Sequence, residues 1–485
     1  MKFYTAIAAL AAAGSAKEIP RDAKRHAELY ESGVMHEKIM AAKAAQLSHD
    51  EEMGLMGINE AAVFGPSYAE LGFAQCKDGY AVPIRGDTVN RFKCNNMNMH
   101  HFLSHERLGS ATGLGSSSWG WISDDGREFA IIAQGDGAAF AEITTAGQLR
   151  YLGRLPQTTG VAPSRWRELR TMDNYLVVGS EEPGHGVQFF DLKKILDIDY
   201  KQGPKTFSPD TDLTDFWNDL PLGRVHNVVT NPETKFAYTV GAQPRNDTVC
   251  RSGINMLDMS DPSNVVSPGC AHQDGYVHDA QCLIYRGPHQ KYLGREICYG
   301  YNEDALTIYD LSDKAFPEVI SITSYEGASY THQGWVLNSD YQEYLIMDDE
   351  LDEQEKRGPA SNGRPTTFVW DIRNLERPKQ TGYYQGPRTV IDHNQYVYGK
   401  YAYQSNYGAG ISVLDISSIP SDPTGRGVKE VAAFDIYPDD DALEGGGTVS
   451  FVGSWSSWAG FPSGFILINT IEKGAWVVKV QKELA

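Results

Sequence analysis

The sequence predicts an all-β fold, a seven-bladed β-propeller with an N-terminal helix and a disulfide-tied cap. The first observation behind this is a repeat, in which a turn or glycine is followed by β-type apolar residues and then, five positions on, by an acidic or polar residue. It occurs as "GAAFAE" (137–142), "GVQFFD" (186–191), "GINMLD" (253–258), "ALTIYD" (305–310), "TTFVWD" (366–371), "GISVLD" (410–415) and "GAWVVK" (474–479). Successive copies end 44 to 67 residues apart, which suits four-stranded units with loops of variable length. The second observation is a marked residue upstream of each copy, in order Trp119, Trp166, His226, His278, His332, His393 and Trp455, with another apolar strand such as "YLVVGS" or "EICYGY" in between. The third is composition: 48 Gly, 26 Tyr and 11% aromatics are what a turn-rich β fold needs. Two β-sandwiches would give no reason for one repeat to persist to the end of the chain.

In chain order, residues 1–16, "MKFYTAIAALAAAGSA", read as a secretory signal peptide: a Lys, a short apolar core and small residues at the end. Residues 17–115 form the helix and cap segment. "AELYESGVMHEKIMAAKAAQ" (27–46) has helical spacing, and a Gly-rich stretch with Cys76 and Cys94 follows. Residues 116–485 are the propeller, and an outer strand from before residue 116 is expected to close the ring. Lys24-Arg25 is a dibasic pair that a processing protease could use.

Export makes disulfides the default for the six cysteines, and local spacing favours Cys76–Cys94, Cys250–Cys270 and Cys282–Cys298. Asn246-Asp247-Thr248 is an N-glycosylation sequon. A net charge of −20 argues against nucleic acid and anionic membrane as partners, and no apolar run is long enough to span a bilayer. The ligand expected instead is a small molecule or polysaccharide.

The stretches "GYVHDAQC", "GREICYGYNEDALTIYDLSD", "YTHQGW", "DDELDE" and "IDHNQY" resemble the LVIVD-repeat, choice-of-anchor B family of secreted proteins over roughly residues 70–485. The resemblance implies a β-propeller and export, and little about chemistry. Many relatives carry a C-terminal surface anchor; this chain ends after its last blade, so free secretion is expected.

In a propeller the innermost strands line a central channel. Strand starts from consecutive blades would therefore bring His226, His278, His332 and His393 together on one rim. The turns between second and third strands add acidic groups to the same face: Asp136, Glu181, Glu182, Glu303, Asp304, the run Asp348, Asp349, Glu350, Asp352 and Glu353, and Glu472. Three readings compete. In the first, the four histidines hold a divalent transition metal, with Asn227, Asp279, Gln333 and Asn394 orienting the rings. In the second, a metal-free pocket uses His278, Asp279 and His332 for acid–base catalysis, with Trp119, Trp166, Trp455, Arg165, Arg167 and Arg224 contacting substrate. In the third, these groups only satisfy one another and channel water. The acidic turns could also bind Ca²⁺. The expected function is a metal-dependent lyase or hydrolase acting on extracellular carbohydrate; the alternative is a propeller that binds a glycan or protein without turnover. No GxSxG, HExxH or P-loop is present.

Overall fold

A computed structural model describes residues 17–52, 68–87 and 89–482. The signal-peptide assignment lies outside the described residues. Seven sheets form seven blades. From inner to outer strand, blade 1 is Gly115–Ile122, Glu128–Gln134, Gly137–Ile143 and Leu149–Pro156. Blade 2 is Arg167–Met172, Tyr175–Ser180, Val187–Asp191 and Asp215–Trp217, and blade 3 is Asn227–Asn231, Phe236–Val240, Ile254–Asp258 and Val266–Ala271. Blade 4 is Asp279–Ile284, Glu296–Tyr301, Leu306–Asp310 and Glu318–Tyr325, and blade 5 is Thr331–Val336, Tyr344–Asp349, Thr366–Asp371 and Lys379–Gln385. Blade 6 is Gln395–Tyr398, Tyr401–Ser405, Ile411–Asp415 and Lys429–Phe434. Every copy of the repeat is a third strand.

Blade 7 supplies Ser454–Trp458, Phe465–Thr470 and Gly474–Val480 from the chain's end and takes its outer strand, Met97–Ser104, from near the start. This pairing closes the ring. Blade strands are apolar on both faces because each sheet packs against two neighbours. Phe465–Thr470, for instance, is buried along its whole length. Three blades carry added edge strands: Lys205–Thr206 parallel on blade 1, Glu18–Ile19 on blade 4, and Phe92–Asn95 with Tyr80–Ala81 on blade 6. At Gly153 a Cβ would meet the Lys205 carbonyl at 2.0 Å, so only glycine lets the extra strand of blade 1 approach. All three expected disulfides form. Cys282 and Cys298 face each other across the first two strands of blade 4.

The helical segment differs in detail from the stretch read at 27–46. Helical turns Ala23–Arg25 and His26–Glu31 come first, and the helix Val34–Glu52 follows a break at Gly33. Gly33 sits at φ +82°, and a Cβ there would press on the Arg245 side chain at 3.2 Å. Arg245 fills that break and donates to the Tyr30 carbonyl at 2.9 Å. Met35, His36, Ile39 and Lys43 form the buried face of the helix at helical spacing. With Tyr30, they pack over the channel mouth against Tyr330, Leu351, Ile391, Tyr407, Phe451 and Trp455. The helix is a plug on the histidine face.

The closing sheet should carry much of the stability. Trp476 is buried against Phe102, ring centres 4.2 Å apart. Trp476→Ala is expected to cost ~3–5 kcal/mol in urea unfolding, whereas Phe316→Ala, at a side chain 77% exposed, should stay within about 0.5 kcal/mol.

Candidate functional site

His226, His278, His332 and His393 do meet at the channel mouth. Their rings stack as an arc, with centroids 4.2, 4.3 and 4.4 Å apart in sequence order, and Trp455 ends the arc 4.9 Å from His393. Each imidazole is fixed through Nδ1. His226 pairs with Glu181 at 2.5 Å and His332 with Asp348 at 3.3 Å. His278 donates to the His332 carbonyl at 2.8 Å, and His393 to the Trp455 carbonyl at 2.6 Å. The residue following each histidine does not orient it, contrary to expectation. Asn227 and Asp279 instead accept the next backbone N–H of their own strands, Gln333 accepts from Gln395 N–H, and Asn394 donates to the Trp455 carbonyl. Short amide and carboxylate side chains at a strand start reach their own backbone more easily than a ring pointing across the channel.

The four rings do not converge as a set. At the mouth, the group whose donor atoms all lie within 4.8 Å of one another is His332, Glu350 and His393; His226 and His278 fall outside it. Both Nε2 atoms face Glu350, at 3.8 Å from His332 and 3.5 Å from His393. Burial holds His332 well below its ordinary range and His393 at about 4, so both are neutral at pH 7. Burial pushes the Glu350 carboxyl up, but the Lys43 charge and the hydrogen bonds from Lys43 and Tyr407 outweigh it and hold it below its usual range. The site is thus two neutral imidazoles and one ionised carboxylate.

Sequence reasoning missed Lys43. Its ammonium descends from the plug helix to 2.6 Å from Glu350 Oε1 and lies over the rings of Trp455 and Phe451 at 5.3 and 5.4 Å. The available signal was a charge four residues after Ile39 on an apolar stripe. Tyr407 also donates to Glu350, at 2.5 Å. Under the plug, the cavity lined by the four histidines, Trp166 and Trp455 holds about 10 Å³, room for one water. A larger cleft of about 540 Å³ lies on the seam between the helix and blade 3, lined by Glu31, His36, Arg245 and Arg251.

The expected substrate contacts are dispersed. Trp166 packs under the plug and Trp455 under Lys43. Trp119 lies farther down the channel, against Tyr396 and Arg170. Its strand begins four residues earlier, at Gly115, so Trp119 sits in mid-strand and not at the rim. Asp279, pushed up to about 7 by burial against the pull of Arg170, belongs to that lower layer too. Arg165 is half-exposed, and Arg224 pairs with Glu181 at 3.1 Å. Asn246 is exposed beside the seam cleft.

Much of the acidic rim is neutralised by the N-terminal segment. Arg21 bridges Asp274 and Asp304, His26 reaches Asp304 at 3.2 Å, and Lys38 pairs with Glu355 at 2.5 Å. Arg245 makes a two-pronged pair with Glu303 at 2.7 and 2.8 Å. Asp352, Glu353 and Asp392 are fully buried without a cation beside them among the described residues; burial, with repulsion among neighbouring carboxylates that include Asp349, pushes all three up, Glu353 to about 8.

No family model matches the chain, and no curated protein matches it. A solved structure similar to it is the β-propeller domain of Myceliophteria thermophila Cps50 (Swd1), 11% identical, with a TM-score of 0.45, covering 75% of this chain and 95% of that one. Among the described residues, no helix is long and apolar enough to cross a membrane.

Arg167 gives a pH test. It is buried without a carboxylate partner, and its Nη1 donates to His185 Nε2 at 2.5 Å. Burial and the Arg167 charge hold His185 at about 3. Between pH 6.5 and 3 the unfolded chain therefore binds a proton at His185 that the folded chain refuses, and stability falls as pH falls. His185→Gln should reduce that slope by up to ~1.4 kcal/mol per pH unit in urea titrations from pH 7 to 4. Identical slopes would place the uptake elsewhere.

Proposed function

We propose that the chain is a secreted, metal-dependent enzyme acting on an extracellular carbohydrate, as a lyase or hydrolase, and covered by its own N-terminal helix. One observation carries the metal reading. His332, His393 and Glu350 bring two neutral imidazoles and one carboxylate within 4.8 Å of one another, with both rings braced through Nδ1. Such a donor set suits zinc, iron or manganese. His278, the next ring of the arc, is held through Nδ1 and keeps Nε2 for a proton. A sugar does not fit a cavity of about 10 Å³, so turnover in this reading requires the plug to lift. The three disulfides and the likeness of the repeats to LVIVD-repeat, choice-of-anchor B proteins support export.

A second reading, a propeller that binds a glycan or protein without turnover, draws on a different observation: the acidic face already holds a stretch of polypeptide through the side chains of Arg21, Lys38 and Lys43.

The readings separate on the full chain. Metal analysis should find one transition metal per chain after loading, lost in His332→Ala and His393→Ala. Lys43→Met, which removes the competing ammonium, should tighten metal binding on the order of tenfold. Met35→Asp/Ile39→Asp should unseat the helix and raise turnover on a polysaccharide panel, in a manner abolished by His332→Ala. No metal in wild type or Lys43→Met sinks the metal site; metal without turnover in the unseated variant leaves the binding reading.

A further inference from the structure

Away from the histidine arc, the loop between the last strand of blade 6 (Lys429–Phe434) and the first of blade 7 (Ser454–Trp458) carries Asp435, Asp439, Asp440 and Asp441. Asp435, Asp440 and Asp441 bring one oxygen each within 4.8 Å of one another. Oxygens bound to one Ca²⁺ at roughly 2.4 Å lie no more than about 4.8 Å apart, a limit these three meet. Asp435 and Asp440 are each only 4% exposed. Asp435 Oδ1 accepts Tyr437 N–H at 2.8 Å, but its Oδ2 is buried without a partner, and so are both oxygens of Asp440. A buried carboxylate with no donor is costly unless a cation or proton meets it.

The surrounding charges leave a deficit of two. Four aspartates give −4. Lys93, 2.9 Å from Asp441, and Lys473, 3.7 Å from Asp439, return +2. Arg388 also faces Asp435 but is spent on Glu430, through Nη1 at 3.2 Å and through Nη2. The wall is fitted closely: a Cβ on Gly408 would stand 3.0 Å from Asp440 Oδ2. All the donors are hard carboxylate oxygens, with no imidazole or thiolate among them, so the chemistry selects calcium over a transition metal.

We propose that Asp435, Asp440 and Asp441 form a Ca²⁺ site that pins the blade 6–7 loop. The same loop carries Phe451, which with Trp455 forms the aromatic floor under Lys43, so the ion holds one wall of the channel mouth in place. The site is independent of the metal reading for the histidines.

The test is CaCl₂ titration of the chelator-treated full chain by calorimetry, with MgCl₂ as a second arm. Wild type should bind one Ca²⁺, and Asp435→Asn and Asp440→Asn should each bind at least tenfold more weakly. Glu353→Gln, in the separate buried trio, should bind like wild type. In EDTA, Asp440→Asn should melt no lower than wild type, because it removes repulsion without losing an ion. The site is overturned by no calcium uptake, by uptake unchanged in both Asn variants, by uptake lost only in Glu353→Gln, or by a lower melting point of Asp440→Asn in EDTA. Magnesium binding as tight as calcium overturns the choice of ion.

Discussion

Charge compensation in a dry space governs the face on which the channel opens. Glu181, Glu303, Asp304 and Glu350 are all nearly inaccessible to water, and an unpaired carboxylate there would cost several kcal/mol. Each is met by a cation, in two cases with a histidine beside it: Glu181 by Arg224 with His226, Glu303 by Arg245, Asp304 by Arg21 with His26, and Glu350 by Lys43. Blade 3 and the N-terminal segment supply these cations between them. The plug is therefore not an ornament on a finished propeller. It completes an electrostatic pairing that the blades begin.

The pairing also shapes what the histidines can do. An ammonium beside Glu350 and a divalent ion at the same carboxylate compete for one negative charge. The covered form and the proposed metal-loaded form would then be alternative ways of satisfying the same group, with Tyr407 as the constant partner. Burial keeps the rings neutral in either case, which suits imidazoles that act as ligands or proton acceptors.

The blade count and the third strands were legible because they rest on a local pattern repeated seven times, and the disulfides because their partners are close in sequence. The histidine arc was legible because propeller geometry turns equivalent strand starts into neighbours. What was not legible depends on contacts across hundreds of residues. Nothing local says that Lys43 meets Glu350, or that Lys93 meets Asp441. Trp119 was misplaced for a smaller reason, since its strand begins four residues before it, which sets it a layer down the channel. Asn227 and Asp279 look like orienting partners in the sequence, yet their short side chains fold back onto their own strands.

Ring closure has a consequence for biosynthesis. His105, just past the strand Met97–Ser104, bonds the carbonyl of Thr470, 365 residues later. At about 5–20 residues per second, a ribosome delivers the second partner some 20–70 s after the first. Through that interval the outermost strand of blade 7 has no sheet to join, and its apolar face, including Phe102, lacks Trp476 and has only the preceding stretch from Tyr68 to Ala74 to pack on. The half-made chain is thus sticky at its leading end until the last blade emerges, and its safe production depends on whatever shields that strand during synthesis and transit.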